Sequence, residues 1–416
     1  MNIAEINIID FASTGNIMMQ IAEKARENHH YVLTVSNIDV LLKKTKFGLK
    51  LEFVQSKHHM KDHIFINSFC QYMIHAILGR FLGLNGFFSF FSTLRLIRLL
   101  KKKNIQLIHL HNIHNFCLNF PLLFHYIKKN NLPVIWTLHD CWSFTGRCPH
   151  FILTKCDRWK YGCYNCLYPK NLYPQSCIDT SQMMWKLKRK WFTGIKNMTI
   201  VTPSLWLADM VKQSFLNGYP VKIINNGINL SVFKPTESDF RKKYGLEGKK
   251  IVLGVAFGWG VRKGLDVFIE LSKRFPENYR IVLVGTDERV DYSLSPQIIS
   301  IHRTQNQKEL AEIYTAANVF VNPTREDTFP TVNMESLACG TPVVTFKTGG
   351  SPEIPDCNCG SVVDCNDIDA MEFEIHRICE KIPYSTENCL NRAKMFDMNK
   401  SFDEYVKLYK TFEVIK

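Results

Sequence analysis

Two loops in the second half of the chain carry residues whose types and spacing suit an anionic ligand with vicinal hydroxyls. The first reads Phe257-Gly258-Trp259-Gly260-Val261-Arg262-Lys263-Gly264. Its glycines let backbone approach a ligand closely, and the adjacent cations Arg262 and Lys263 offer charge to a diphosphate. The second runs from Pro323 to Gly340 and crowds Glu326, Asp327 and Glu335 around Thr328-Phe329-Pro330-Thr331-Val332. Asp327 or Thr328 is expected to cap a helix, Pro330 to sit in its first turn, and the N–H groups around Thr331 and Val332 to form an anion site. Glu335 falls about two helical turns beyond Asp327, so the two carboxylates are expected to do different jobs. One anchors a sugar or ribose diol while the helix start takes phosphate. An ordinary acidic helix start is the competing reading for either carboxylate alone.

The first half offers imidazoles and thiols. His109, His111 and His114 lie on and just after one strand-like run, and His139-Asp140 close the next. At the carboxyl ends of parallel strands such groups are placed for hydroxyl contacts or proton transfer, although a lone His is more often a satisfied core residue. Ala12-Ser13-Thr14-Gly15-Asn16 reads as a strand-to-helix loop, with a helix from about Ile17. Cys148, Cys156, Cys163 and Cys166 end in a Cys-x2-Cys pair inside a Cys-rich loop, 141–177. A structural zinc, disulfides and free packing thiols all remain open for the four, and no catalytic metal is proposed there.

Elements that position these groups follow from the hydrophobic pattern. Strand-length apolar runs alternate with amphipathic helical segments, which predicts parallel sheets covered by helices, an α/β class of two doubly wound units. Strands are expected at Glu5–Phe11, Tyr31–Ser36, Gln106–His111, Val134–Leu138 and Thr199–Thr202, then at Lys250–Ala256, Arg280–Gly285, Ile298–His302, Val319–Asn322 and Pro342–Phe346. At 416 residues the chain suits two domains, and the Asn226-Gly227 turn signal followed by Phe233-Lys234-Pro235 puts the boundary near residue 230.

Composition narrows the partners. The net charge of +14 lies wholly in the first half, where residues 1–200 hold 26 Lys+Arg against 10 Asp+Glu; residues 201–416 hold 26 against 28. Such asymmetry points to an anionic partner or to a solvated basic face. The most apolar stretch, Ile64–Ser92, is interrupted by Gln71, His75, Arg80 and Asn85 before reaching spanning length. Leu94–Lys103 mixes apolar and basic residues at helical spacing, which suits either an anionic membrane surface or a core-packed helix. The opening residues lack the pattern of a secretory signal, so a cytoplasmic location is expected. A nicotinamide dehydrogenase would carry Gly-x-Gly-x-x-Gly after a first strand, which is absent after Phe11 and Ala256. A nucleic-acid-binding protein using the basic half is the alternative from the binding class, but no recognised module supports it.

Several of these segments also carry a family resemblance. Asn225-Asn226-Gly227-Ile228-Asn229 with Phe233 and Pro235, Arg262-Lys263-Gly264, Asp327–Glu335 with Ala338-Cys339-Gly340-Thr341-Pro342-Val343-Val344, and Gly349-Gly350-Ser351-Pro352-Glu353-Ile354 resemble glycosyltransferase family 4. The Cys141–Cys166 segment is similar to members from bacterial surface-polysaccharide pathways. The resemblance implies the GT-B fold: two Rossmann-like doubly wound domains facing across a cleft, 1–229 for the acceptor and 230–398 for the donor. Residues 399–416 would form a helix packing back on the first domain. It further implies retaining transfer of a hexose-type sugar from a nucleoside-diphosphate donor to a saccharide acceptor, lipid-linked in one reading and met at the inner face of the cytoplasmic membrane. No metal cofactor is implied for catalysis. In this reading Lys263, Asp327 and His139 are catalytic. Gly15, Asn16, Arg262, Glu326, Phe329, Pro330, Thr331, Val332 and Glu335 join Lys263 and Asp327 in donor binding, and His111, His114 and Asp140 contact the acceptor. Asp327 stands where the family usually has Glu, and Gly258 falls near the place of a usual Arg.

Overall fold

A computed structural model describes residues 1–37, 62–114, 116–168 and 176–413, together with the backbone of the antiparallel pair Val40–Thr45 and Gly48–Phe53. The chain forms two compact units. One comprises 1–203, 207–224 and 402–416, and the other comprises 204–206 and 225–401.

The first unit is built on a seven-stranded parallel sheet. Its order is His63–Phe65, Tyr31–Ser36, Asn2–Ile6, Leu107–Leu110, Val134–Thr137, Met198–Thr202 and Val221–Ile223. Its helices include Ala12–Glu27, Phe69–Leu82, Phe90–Lys102, Phe120–Lys129 and Ser181–Phe192. The second unit holds a six-stranded parallel sheet, ordered Ile298–Ile301, Tyr279–Val284, Lys250–Val255, Val319–Asn322, Val343–Phe346 and Gly360–Val363. Alternation along its strands divides the core in two. Ile251, Leu253 and Phe320 join one apolar cluster, while Val252, Val319 and Val321 join the other. A sheet buried on both faces is what a doubly wound fold requires. The expected α/β class, with two parallel-sheet units, is therefore present.

Two local expectations are corrected. The first strand ends at Ile6, not Phe11, because the Asn7 side chain bonds to the Ile9 carbonyl and Thr14 Oγ1 and draws the chain out of the sheet. The following helix starts at Ala12, so Gly15 and Asn16 lie in its first turns rather than in a loop. Close packing explains Gly15: a Cβ there would lie 2.6 Å from the Asp10 carbonyl carbon.

The apolar stretch 64–92 is divided among a short strand, the helix Phe69–Leu82 and the turn into Phe90–Lys102. No helix among the described residues is long and apolar enough to cross a membrane. Ser68 and Gln71 form a capping box at the start of the first helix, and Gly83 closes it in the left-handed conformation. This helix leaves Ile74, Ile77, Leu78, Phe81 and Leu82 exposed, and Phe90 and Phe91 follow them. Leu96, Ile97 and Leu100 of the next helix enter the core, with Arg95, Arg98, Lys101 and Lys102 outside.

Candidate active site

In an open parallel sheet, ligands bind beyond the carboxyl ends of the strands where the strand order reverses. In the second unit that place lies between Lys250–Val255 and Val319–Asn322. The loops leaving these strands are the two singled out by their residues. Lys263 Nζ reaches Asp327 Oδ2 at 2.6 Å, with both side chains partly accessible. Gly264 makes the approach feasible. It adopts φ +76, and a Cβ there would lie 2.4 Å from the Pro323 carbonyl oxygen.

Arg325 binds the loops from beneath. Its guanidinium makes a bidentate pair with Asp266 at 2.8 and 2.7 Å, and the Arg325 backbone N–H donates to the Arg262 carbonyl at 2.9 Å. The Arg262 guanidinium in turn donates to the Glu326 carbonyl at 3.4 Å, and the Glu326 side chain is buried. On the other side, Gly349 at φ +53 lies so close to Asp327 that a Cβ would stand 1.7 Å from its carbonyl oxygen.

The helix Thr331–Ala338 has Pro330 at its N-cap and no side-chain cap. This corrects the expected capping by Asp327 or Thr328. Asp327 Oδ1 instead accepts from the Phe329 N–H at 3.3 Å in a local turn, and Pro330 precedes the first turn rather than joining it. A helix start without a capping side chain suits an anion. Phe329 turns its ring into the core against Phe396, at 5.9 Å between centroids. Thr331 and Val332 remain half-buried at the helix start. Glu335 follows on the helix and accepts from the Tyr314 hydroxyl at 3.2 Å. Burial pushes its carboxyl up to about 7, with the Tyr314 and Thr331 hydroxyls opposing.

In the first unit the strand order reverses between Asn2–Ile6 and Leu107–Leu110. Beside it lies a buried polar chain. His109 bonds Tyr409 at 2.6 Å and Thr137 at 2.8 Å, the Tyr409 hydroxyl donates to Glu5 at 3.1 Å, and His111 stands 3.4 Å from Glu5 Oε2. His111 Nδ1 meets His139 Nε2 at 3.1 Å, their rings stacked within 11° of parallel. His114 pairs with Asp140 at 3.0 Å, and the second oxygen of Asp140 accepts from the Trp142 N–H at 2.8 Å.

These contacts sort the expected acceptor residues. His111 is buried, whereas His139 beside it is partly accessible. Burial lowers both imidazoles to about 3, so they are neutral near pH 7. Burial raises the Glu5 carboxyl to about 8 despite its bond from Tyr409. Asp140 faces the same burial cost, but the opposing His114 holds it below its ordinary value.

The sequence reading missed Glu5, Tyr409, Arg325 and Asp266. A carboxylate inside an otherwise apolar strand was the signal for Glu5. Among the described residues, only Glu5, His109 and His111 bring three potential ligand atoms within 4.8 Å of one another. The four cysteines instead line one cavity, and none of the fourteen is in a disulfide.

Comparison with known proteins adds the following. Residues 72–232 match the family model described as Glycosyltransferase Family 4, and residues 249–381 match that of group 1 glycosyl transferases. A putative colanic acid biosynthesis glycosyl transferase, WcaC of Escherichia coli (strain K12), is 24% identical over 237 residues, covering 56% of this chain and 57% of that protein. The chain spans between about a third and just over half of the length of the first curated relatives it matches. Among solved structures, sucrose-phosphate synthase from Thermosynechococcus elongatus superposes with a TM-score of 0.69 at 16% identity, covering 100% of both chains. HepE of Anabaena in complex with UDP-glucose gives 0.67 at 13% identity, covering 99% of this chain and 100% of that one.

Proposed function

Since the chain is a GT-B glycosyltransferase matching family 4 in its first half and group 1 in its second, we propose that it moves a hexose-type sugar from a nucleoside-diphosphate donor to a saccharide acceptor. Transfer retains anomeric configuration and contributes to a bacterial surface polysaccharide. The observation that carries this reading is the contact of Lys263 with Asp327 at the point where the second unit's strand order reverses, with Glu335 on the helix beyond. The UDP-glucose bound by the Anabaena protein supports a donor of that class.

In this mechanism Lys263, Arg262 and the helix start at Thr331 and Val332 take the diphosphate, and their positive charge stabilises it as it leaves. Lys263 leaves Asp327 for the phosphate, which frees the carboxylate to accept from sugar hydroxyls. Glu335 accepts from the ribose diol. The lysine and the helix start thus supply the charge that a divalent cation would otherwise bring, and transfer in excess chelator is expected to persist. His139 touches the transferred sugar, and Asp140 is the acceptor contact of the first unit. An imidazole lowered to about 3 is a weak general base, which favours leaving-group stabilisation over deprotonation of the acceptor by His139.

The acceptor is proposed to be lipid-linked and met at the cytoplasmic leaflet. The exposed Ile74, Ile77, Phe81 and Phe91, together with the outward Arg95, Arg98, Lys101 and Lys102, support peripheral contact with anionic lipid. Flotation with anionic liposomes, absent with neutral ones, is the expected result.

A nucleotide-sugar panel read by hydrolysis and thermal shift tests the donor assignment on the native chain, Lys263→Ala and Glu335→Ala. Undiminished donor response in both variants would sink it. Product anomeric configuration by NMR tests retention.

A further inference from the structure

Between the strand Val134–Thr137 and the helix Ser181–Phe192 the chain makes a long excursion with two short 3-10 turns, Trp142–Phe144 and Arg158–Lys160. Cys148, Cys156, Cys163 and Cys166 come from separate parts of it and line one cavity of about 20 Å³, room for one water-sized body. The excursion is fastened around them. The Gly146 N–H donates to Cys163 Sγ at 3.2 Å, Ser181 Oγ donates to the Cys163 carbonyl at 3.0 Å, and the Cys166 N–H donates to Asp179 at 2.8 Å. Cys163 and Asn165 hold positive φ, 49° and 45°, without being glycine.

A second observation is the charge around this cavity. Arg147 and Arg158 line it. Beneath, Lys188 is wholly buried, with its ammonium donating to the Trp142 and Thr145 carbonyls at 2.7 and 3.0 Å and lying 3.4 Å from the centre of the Trp142 ring. Among the described residues no carboxylate forms an ion pair with it. Burial pushes Lys188 well below the ordinary lysine range, with Cys163, Cys148 and Asp140 acting in the opposite direction, and Asp140 is already paired with His114. This buried amine keeps its charge only where a compensating anion lies beside it, and neutral thiols supply none.

We infer that Cys148, Cys156, Cys163 and Cys166 bind one structural zinc ion as thiolates, with Lys188 as the buried counter-charge of the site. Four thiols take up Zn²⁺ and release four protons, leaving a centre of net charge −2 that Lys188, Arg147 and Arg158 surround. The sulfurs stand too far apart for three to lie within 4.8 Å of one another, so the metal draws them inward. Its role is to fix the excursion that follows Asp140 and Trp142, not to take part in transfer.

Elemental analysis of the full chain, expressed with zinc in the medium, is expected to find one zinc per chain, released when the thiols are mercurated. Exchange with cobalt(II) should produce the intense visible absorption of a tetrahedral thiolate centre. Cys163→Ser/Cys166→Ser should lose the stoichiometric metal. Lys188→Met should retain the ligands but weaken zinc binding by roughly 10- to 100-fold against a competing chelator, as for other partners behind a metal's ligands. A folded native chain that takes up neither zinc nor cobalt overturns the inference. So does one whose four sulfurs form disulfides, or one that carries iron instead.

Discussion

Lys263 and Asp327 belong to loops leaving adjacent strands, yet their charged atoms meet at 2.6 Å. In the proposed site each charge of the pair serves a different part of the donor, so the two residues should fail differently. Lys263→Ala should weaken UDP binding by about 10- to 100-fold, the range of one lost hydrogen bond to a charged group. Asp327→Asn should leave UDP affinity within a few-fold while removing the added affinity of UDP-sugar over UDP. Isothermal titration of both ligands against both variants measures this, and an equal loss for both ligands in Asp327→Asn would contradict the division of labour.

Glu335 makes donor binding depend on pH. A carboxylate accepting two hydroxyl hydrogen bonds must be ionised, whereas burial places its pKa near 7 in the free protein. Donor affinity should therefore rise with pH up to about 7 and level off above it, falling by up to tenfold per unit on the acid side. Tyr314→Phe removes a bond that favours ionisation, so the midpoint should move upward. Affinities from pH 5.5 to 8.5, about one and a half units either side of the carboxyl, distinguish this from a flat profile, which would place Glu335 away from the ribose.

Glu5 tunes stability rather than binding. Its folded pKa, about 8, lies above the unfolded value, so the folded form holds a proton that the unfolded form has lost. The stabilisation is complete below the unfolded pKa and disappears as pH rises through 8, with a slope of at most about 1.4 kcal/mol per pH unit. Glu5→Gln should keep the hydrogen-bonding shape and flatten that slope in urea unfolding of the first unit between pH 5 and 9, a window running from about the unfolded pKa to about one unit above the folded one. An unchanged slope would show that Glu5 is ionised in the fold.

Gly349 supports the donor loop through backbone alone. At φ +53, with a Cβ position 1.7 Å from the Asp327 carbonyl, Gly349→Ala must displace the loop. A cost of about 1–3 kcal/mol is expected, along with a loss of UDP-sugar affinity larger than that stability change alone would cause. Thermal melts with and without UDP-sugar separate the two effects.

Much of this was legible in residue order, and the omissions share a cause. Val319–Asn322 and the helix Leu265–Arg274 follow local periodicity, and the structure has them at those bounds. The strands His63–Phe65 and Val221–Ile223 are too short for alternation to register, Gly360–Val363 opens on the weak strand formers Gly and Ser, and all three exist because a neighbouring strand pairs with them. Capping at Thr331 was misread because Asp327 closes a turn of its own first. The Glu5–Tyr409 contact joins residues 404 positions apart, beyond what any local pattern encodes.

That contact also orders events during synthesis. The first strand leaves the ribosome carrying a carboxyl group whose hydrogen-bond donor lies 404 positions further along the chain. While the second unit is being made, the nascent first unit has an interior polar group still awaiting its partner, so its folding is completed only once Tyr409 has been added. A premature stop before Phe402 would thus injure the domain made first and spare the strands of the one made second.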